Sequence, residues 1–191
     1  YEGAEESSDY PWFFKAKGVF SHVNGNENAI YETQTSSTHN FQRPDADHVS
    51  VDTLATSLSG YGGNINFGKS GGGKVSFISA VYFKSPGLEL NDMGYVRHVD
   101  DIITINWLGY RINEPFSVFK NVGVNFNHWS SFDFSGKYMG MGGNTNMHGT
   151  FKNNYSLSFG INLNTKEIST THLHGGPSYH LPGSTNQWIW V

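Results

Sequence analysis

Two-residue alternation running almost the length of the chain is the strongest constraint on its fold. Val122, Val124 and Phe126 alternate with Gly123, Asn125 and Asn127. Met139, Met141, Met147 and Phe151 alternate with Gly140, Gly142, Asn144, Asn146 and His148, and Tyr155, Leu157, Phe159, Ile161 and Leu163 with Ser156, Ser158, Gly160, Asn162 and Asn164. Side chains of an extended strand point to opposite faces in turn, so each run predicts a strand with one apolar face. Phe13–Ser21, Gly60–Gly68, Lys74–Lys84 and Ile102–Ile112 repeat the pattern, Lys74–Lys84 less cleanly. A further strand is expected through Thr171–His180 and another from near Asn186. The whole reads as about eight or nine strands of roughly ten residues, the length a tilted strand needs to cross a bilayer.

The second face distinguishes kinds of β-protein. A soluble sandwich carries long charged side chains on its wet face. Here that face is Gly, Asn and Ser, and charged residues are only 15% of the chain. Small polar side chains suit the lumen of a barrel, where water and inserted loops fill the space. Aromatics gather near strand ends (Tyr10, Trp12 and Phe13; Tyr82 and Phe83; Trp129, Phe132, Phe134 and Tyr138; Phe151 and Tyr155), as interfacial belts would. The mean hydropathy of −0.44 does not oppose this, because a barrel hides its apolar face in alternation. The fold expected is all-β: a segment of a large antiparallel transmembrane barrel, one domain over 1–191. Tyr1 and Val191 read as cuts through a longer chain.

Connections differ in length. Ser70–Gly73 and Lys152–Asn154 are tight turns, Ser85–Asp101 is a medium loop, and Asn24–Leu58 is a long one expected to serve as plug or lid. Within it, Glu27–Ser37 predicts a short helix capped by Asn26.

Several classes of chemistry are excluded early. With 12 Lys+Arg against 16 Asp+Glu there is no basic excess to attract nucleic acid. The absence of cysteine removes thiolate metal sites, a cysteine nucleophile and disulfides. Gly68–Lys74 has the spacing of a phosphate-binding loop, but Val75 stands where Ser or Thr is required and the segment alternates as a strand, so a hairpin turn is expected. No serine sits in a nucleophile elbow. Asp45, Asp47 and His48 in the 43–52 loop are candidate ligands for a calcium ion, against the plainer reading of a turn fixed by Pro44. His172 and His174 share a face if their segment is a strand, a candidate metal clamp set against plain lumen histidines. Glu89 with Asp92 or Asp100 would be the acid–base pair of a hydrolase, but nothing in the sequence fixes their separation. No catalysis is expected. Polar-ligand binding is expected from the lumen residues Asn64, Asn66, Asn125, Asn127, Asn144 and Asn146 with the loop aromatics Tyr31, Phe41 and Tyr95, by hydrogen bonding and stacking.

The loop sequences are specific. Thr35-Ser36-Ser37 and Asn40 through His48, Thr56 through Gly63, Gly68 through Gly73, Ser85 through Tyr95, Tyr110-Arg111 with Asn113-Glu114-Pro115-Phe116, and Gly175-Gly176-Pro177 together resemble an outer-membrane β-barrel family of Gram-negative bacteria. That family is catalogued only as a domain of unknown function, and its members typically carry a family-9-like carbohydrate-binding domain ahead of the barrel. The resemblance implies an outer-membrane location and a lipid bilayer as partner, with a carbohydrate or another envelope protein as further partners, and no catalytic residues to carry over. The function expected is transport, docking or surface handling of a polar, carbohydrate-like ligand. The alternatives are a soluble β-sandwich carbohydrate-binding module, a hydrolase, or a structural subunit of an envelope or secretion assembly.

Overall fold

The structure is a computed structural model that describes residues 11–92 and 94–191. Tyr10 of the expected belt and Met93 of the 85–95 motif lie outside the described residues. Strands β1 (Trp12–Asn24), β2 (Ser57–Lys69), β3 (Val75–Lys84), β4 (Asp101–Ile112), β5 (Phe119–Phe132), β6 (Tyr138–Phe151) and β7 (Ser156–Asn164) follow one another. Then come the short β8 (Glu167–Ser169) and β9 (Tyr179–Leu181), and finally β10 (Ser184–Trp190). β1 to β7 and β10 pair antiparallel, each with its neighbour in that order, in one eight-stranded sheet. β8 and β9 pair only with each other. The large sheet is open: β1 and β10 are its edges and do not meet.

Turn chemistry explains the short connections. Gly71, Gly72 and Gly73 all have positive φ (86°, 65° and 132°), which side chains resist, so the glycine run is a β2–β3 hairpin and not a phosphate loop. Between β5 and β6 one carboxylate oxygen of Asp133 accepts from the Ser135 and Lys137 N–H groups, each at 2.9 Å, and closes the turn around Gly136. Helix α1 (Glu27–Thr35) starts where the Asn26 side chain accepts the Ala29 N–H at 2.8 Å, as its capping position predicts. It buries Ile30 and, one turn on, Gln34, whose amide both donates to and accepts from the Asp52 backbone.

Successive connections alternate between the two ends of the sheet, and the three long ones share one end. The short turns 70–74, 113–118 and 152–155 fall at one end of the sheet. The connections 25–56, 85–100, 133–137 and 165–183 fall at the other, the loop end.

Register sorts the faces. Cross-strand partners share a face, so the pairs Phe14–Phe67, Ala16–Ile65, Ile65–Val81, Leu108–Phe126, Val124–Met147 and Met147–Phe159 define an apolar one. Asn64, Asn66, Asn125, Asn127, Asn144 and Asn146 lie on the other. The sorting blurs over β3–β5. Ser79, Asn106 and His128 form a row on the apolar face, and Ile103, Ile105, Trp107 and Trp129 lie on the polar one.

The loops pack against the polar face. A Cβ on Gly60 would collide with the Leu88 backbone nitrogen, and one on Gly62 would lie 2.8 Å from a Leu88 methyl. The Ser21 hydroxyl accepts the Glu89 N–H at 2.9 Å. Further along the sheet, a Cβ on Gly140 would lie 2.8 Å from the Glu167 side chain. Ser21, Gly60, Gly62 and Gly140 are all polar-face positions by register. The buried side chains therefore concentrate in this cap, with Ile30, Leu88 and Val99 beside Gln34, His39, Arg43, Asp100 and Asp133. The apolar face stays bare: Phe14, Phe20 and Ile189 are 68–69% exposed. Thr171–His180 departs from the expected strand. Its first half is turn, with His174 at φ 47° and Gly175 at φ 94°, and extended backbone resumes only at Tyr179.

Candidate functional site

Four of the expected lumen asparagines come together, and the register adds two more. Asn127, Asn144, Asn162 and Asn186 form one row across β5, β6, β7 and β10, with Asn125 and Asn146 in the next row. Asn127 donates to Asn144 at 2.6 Å, Asn125 to Asn146 at 2.8 Å, and Asn146 to Asn144 at 3.1 Å. Each amide carries two N–H donors and two acceptor lone pairs. The ladder fixes their orientation with part of that capacity, and the rest faces whatever occupies the polar side. Asn64 and Asn66 form a separate station on β2, bonded to each other at 2.7 Å and joined by the Tyr82 hydroxyl at 3.3 Å.

Tryptophans frame the ladder. The Trp107 indole N–H donates to Asn125 at 3.2 Å. Ring atoms of Trp107, Trp129 and Trp188 lie against Gly109, Gly142 and Gly160, so close that a Cβ at any of the three would overlap the ring. The half-buried indoles therefore rest on bare backbone beside the amides. Sequence reasoning left these tryptophans, Asn162 and Asn186 out of the site. Their even or odd position relative to the asparagine series was the available signal for the β7 and β10 members. Trp107 and Trp129 needed the register.

The cap is held by charge. The Arg43 guanidinium donates to Asp100 at 2.7 Å, with both side chains 4% exposed, and His48 Nε2 lies 2.8 Å from the other carboxylate oxygen. The Phe134 N–H donates to that same oxygen at 3.1 Å. Lys84 and His98 flank Asp101 at 3.0 and 2.9 Å. His48, Asp100 and Asp133 offer ligand atoms within 4.8 Å of one another. The Asp100 carboxylate is already neutralised by Arg43, so this trio reads as a clasp between loops.

The proposed calcium set is dispersed. Asp45 accepts the Ser178 N–H at 3.1 Å and lies 3.5 Å from Lys137, Asp47 is exposed, and His48 turns to Asp100. Burial pushes the Asp45 carboxyl up, but the Ser178 hydroxyl and N–H and the Lys137 ammonium outweigh it and hold it below the ordinary carboxylate range. His172 and His174 share no strand face. His172 stacks on Tyr179 at 4.9 Å, and His174 turns to a cavity. Asp100, one member of the suggested hydrolase pair, is locked by Arg43, while Glu89 accepts the Asn91 N–H at 2.6 Å. Burial lowers the pKa of His39, although Glu89, 3.8 Å away, opposes this.

Of the loop aromatics, Tyr31 projects from α1, 43% exposed, and Phe41 packs edge-on against His39. Tyr95 stands at the cavity that His174 also reaches, a space of about 810 Å³ between three loops. The cavity lies among the loop-end connections, and the ladder lies on the polar face across β5, β6, β7 and β10.

Residues 17–191 match one family model, that of a domain of unknown function, DUF5916. No curated protein and no solved structure matches the chain.

Proposed function

We propose that this chain, which belongs to the DUF5916 family, forms part of an outer-membrane β-barrel whose polar side takes up or displays a carbohydrate-like ligand without covalent chemistry. One observation carries the reading. The long connections fold over the face of Gly, Asn and Ser, and leave bare the face of Phe, Ile, Leu, Val and Met. A water-soluble sheet gains most by covering its apolar face, which a sandwich does with a second sheet. Among the described residues the only second sheet is the two-stranded β8–β9 pair, and it belongs to the 165–183 loop that packs on the polar face. Lipid as the solvent for the bare face resolves the inversion. The open edges of β1 and β10 then pair with further strands, because unpaired backbone groups are not tolerated in hydrocarbon.

The polar side supports the ligand. Ordered amides beside half-exposed indoles on bare backbone suit the alternating hydroxyl and C–H surfaces of a sugar. The titratable groups of the cap are paired in ways that hold loops together.

The membrane part is tested by extracting the full-length native chain from cell envelopes and comparing its gel mobility in detergent before and after boiling. A heat-dependent shift with resistance to carbonate extraction is the expected result. A carbonate-soluble chain with unchanged mobility would overturn the reading and return the apolar face to a partner protein.

A further inference from the structure

The cavity of about 810 Å³ at the loop end falls within the size range of small-ligand pockets. Its wall comes from three separate connections: Thr38 from the first, Asn91 and Gly94 through His98 from the second, Thr171 and His174 from the third. Arg97 is the only fixed charge on that wall. Arg97, His98 and His174 line it and no carboxylate does, in a chain with more acids than bases. Of the neighbouring acids, Asp100 is held by Arg43, Glu89 accepts the Asn91 N–H and Asp101 pairs with Lys84 and the wall residue His98, while Asp92, next to Asn91, is exposed and does not line the cavity. Arg97 is exposed and forms no ion pair among the described residues. The rim is built, since the Asn91 side chain accepts the Val96 N–H at 2.8 Å and so shapes the loop carrying Tyr95 and Arg97. Tyr95, 81% exposed, offers an open aromatic face beside that guanidinium.

We propose that this cavity binds an acidic oligosaccharide, with the Arg97 fork receiving a sugar carboxylate and the Tyr95 ring stacking on a pyranose face. The inference rests on the carbohydrate half of the proposed function and is independent of the membrane half. A planar guanidinium matches a carboxylate through two parallel N–H donors. The Thr38 and Thr171 hydroxyls supply polar partners for ring hydroxyls.

Isothermal titration calorimetry on the detergent-solubilised full chain at low salt tests it with three probes: trigalacturonate, neutral galactotriose and inorganic phosphate. Trigalacturonate is expected to bind about tenfold tighter than galactotriose, one charge-assisted contact's worth. Arg97→Gln, at an exposed position, should remove that preference and leave the neutral sugar unchanged. Tyr95→Ala should weaken both sugars alike. Equal affinity for the two sugars, or a preference that survives Arg97→Gln, overturns the acidic specificity while the carbohydrate reading stands. Phosphate binding through Arg97 with neither sugar bound overturns both.

Discussion

Arg43 and Asp100 show what a single residue contributes to the cap. Both are nearly fully buried, and Asp100 sits at φ 64°, a left-handed conformation that aspartate and asparagine accept more readily than most residues. Removing one partner of such a pair strands the other charge, at a cost of about 3–5 kcal/mol. Arg43→Met should therefore release the cap. The Val99 N–H, bonded to the Thr38 carbonyl at 3.2 Å, should exchange with solvent roughly a hundredfold faster or more. The double variant with Asp100→Asn should recover most of that loss, because no unpaired charge remains. His39 adds a pH dependence of definite sign. Its folded pKa is lowered by burial, with Glu89 the ionisable group facing it, so the folded cap holds it neutral. Its stabilising contribution is complete above the unfolded value of about 6.5 and declines as pH falls below that value toward the folded pKa. Amide exchange in the cap, corrected for its intrinsic pH dependence, should accelerate between pH 7.5 and 5.5, and His39→Gln should flatten the change.

At the scale of elements, the join between β2 and the 85–100 loop is set by a missing side chain. Gly60→Ala adds a methyl group where the Leu88 nitrogen sits, and overpacking of this kind costs about 1–3 kcal/mol. Strand β2 accepts alanine without difficulty, so the sheet should persist while the loop lifts. Proteolysis within 85–100 should rise in this variant. It should not rise in Gly18→Ala, whose added carbon meets nothing closer than 4.0 Å. This contrast also marks how far sequence reasoning reaches. Two-residue alternation located the large strands, though only the middle of β5 and the start of β10, and the Asn26 cap placed α1, because both signals are local. Packing of loop on strand is not local: Arg43 meets a residue 57 positions away, and no periodicity carries that information. Thr171–His180 was misread because Thr-His-Leu-His imitates alternation, while the left-handed backbone at His174 and Gly175 breaks the strand. The asparagine ladder was legible as a face. Its register, and the indoles seated on glycine beside it, required the strand pairings.

For the whole molecule, the decisive property is which face of the sheet meets which solvent. Ile65 and Asn64 are consecutive in β2 and point to opposite sides: Ile65 pairs with Ala16 and Val81, Asn64 with Lys17 and Tyr82. Ile65 is 46% exposed in this open sheet. In water, replacing a half-exposed isoleucine by arginine removes apolar surface from solvent and costs little. In hydrocarbon the same change places a cation among acyl chains, at roughly 2–4 kcal/mol near the membrane midplane. On the proposed membrane reading, Ile65→Arg should therefore deplete a heat-modifiable form in cell envelopes. Asn64→Arg, with its charge toward the polar side, should insert as the parent chain does and alter only what passes or binds there. The two variants differ by one position and carry the same added charge, so net charge and expression burden cannot account for a difference between them. Equal insertion of both would place water on the apolar face, and the inverted packing of the loops would then require a protein partner to cover it.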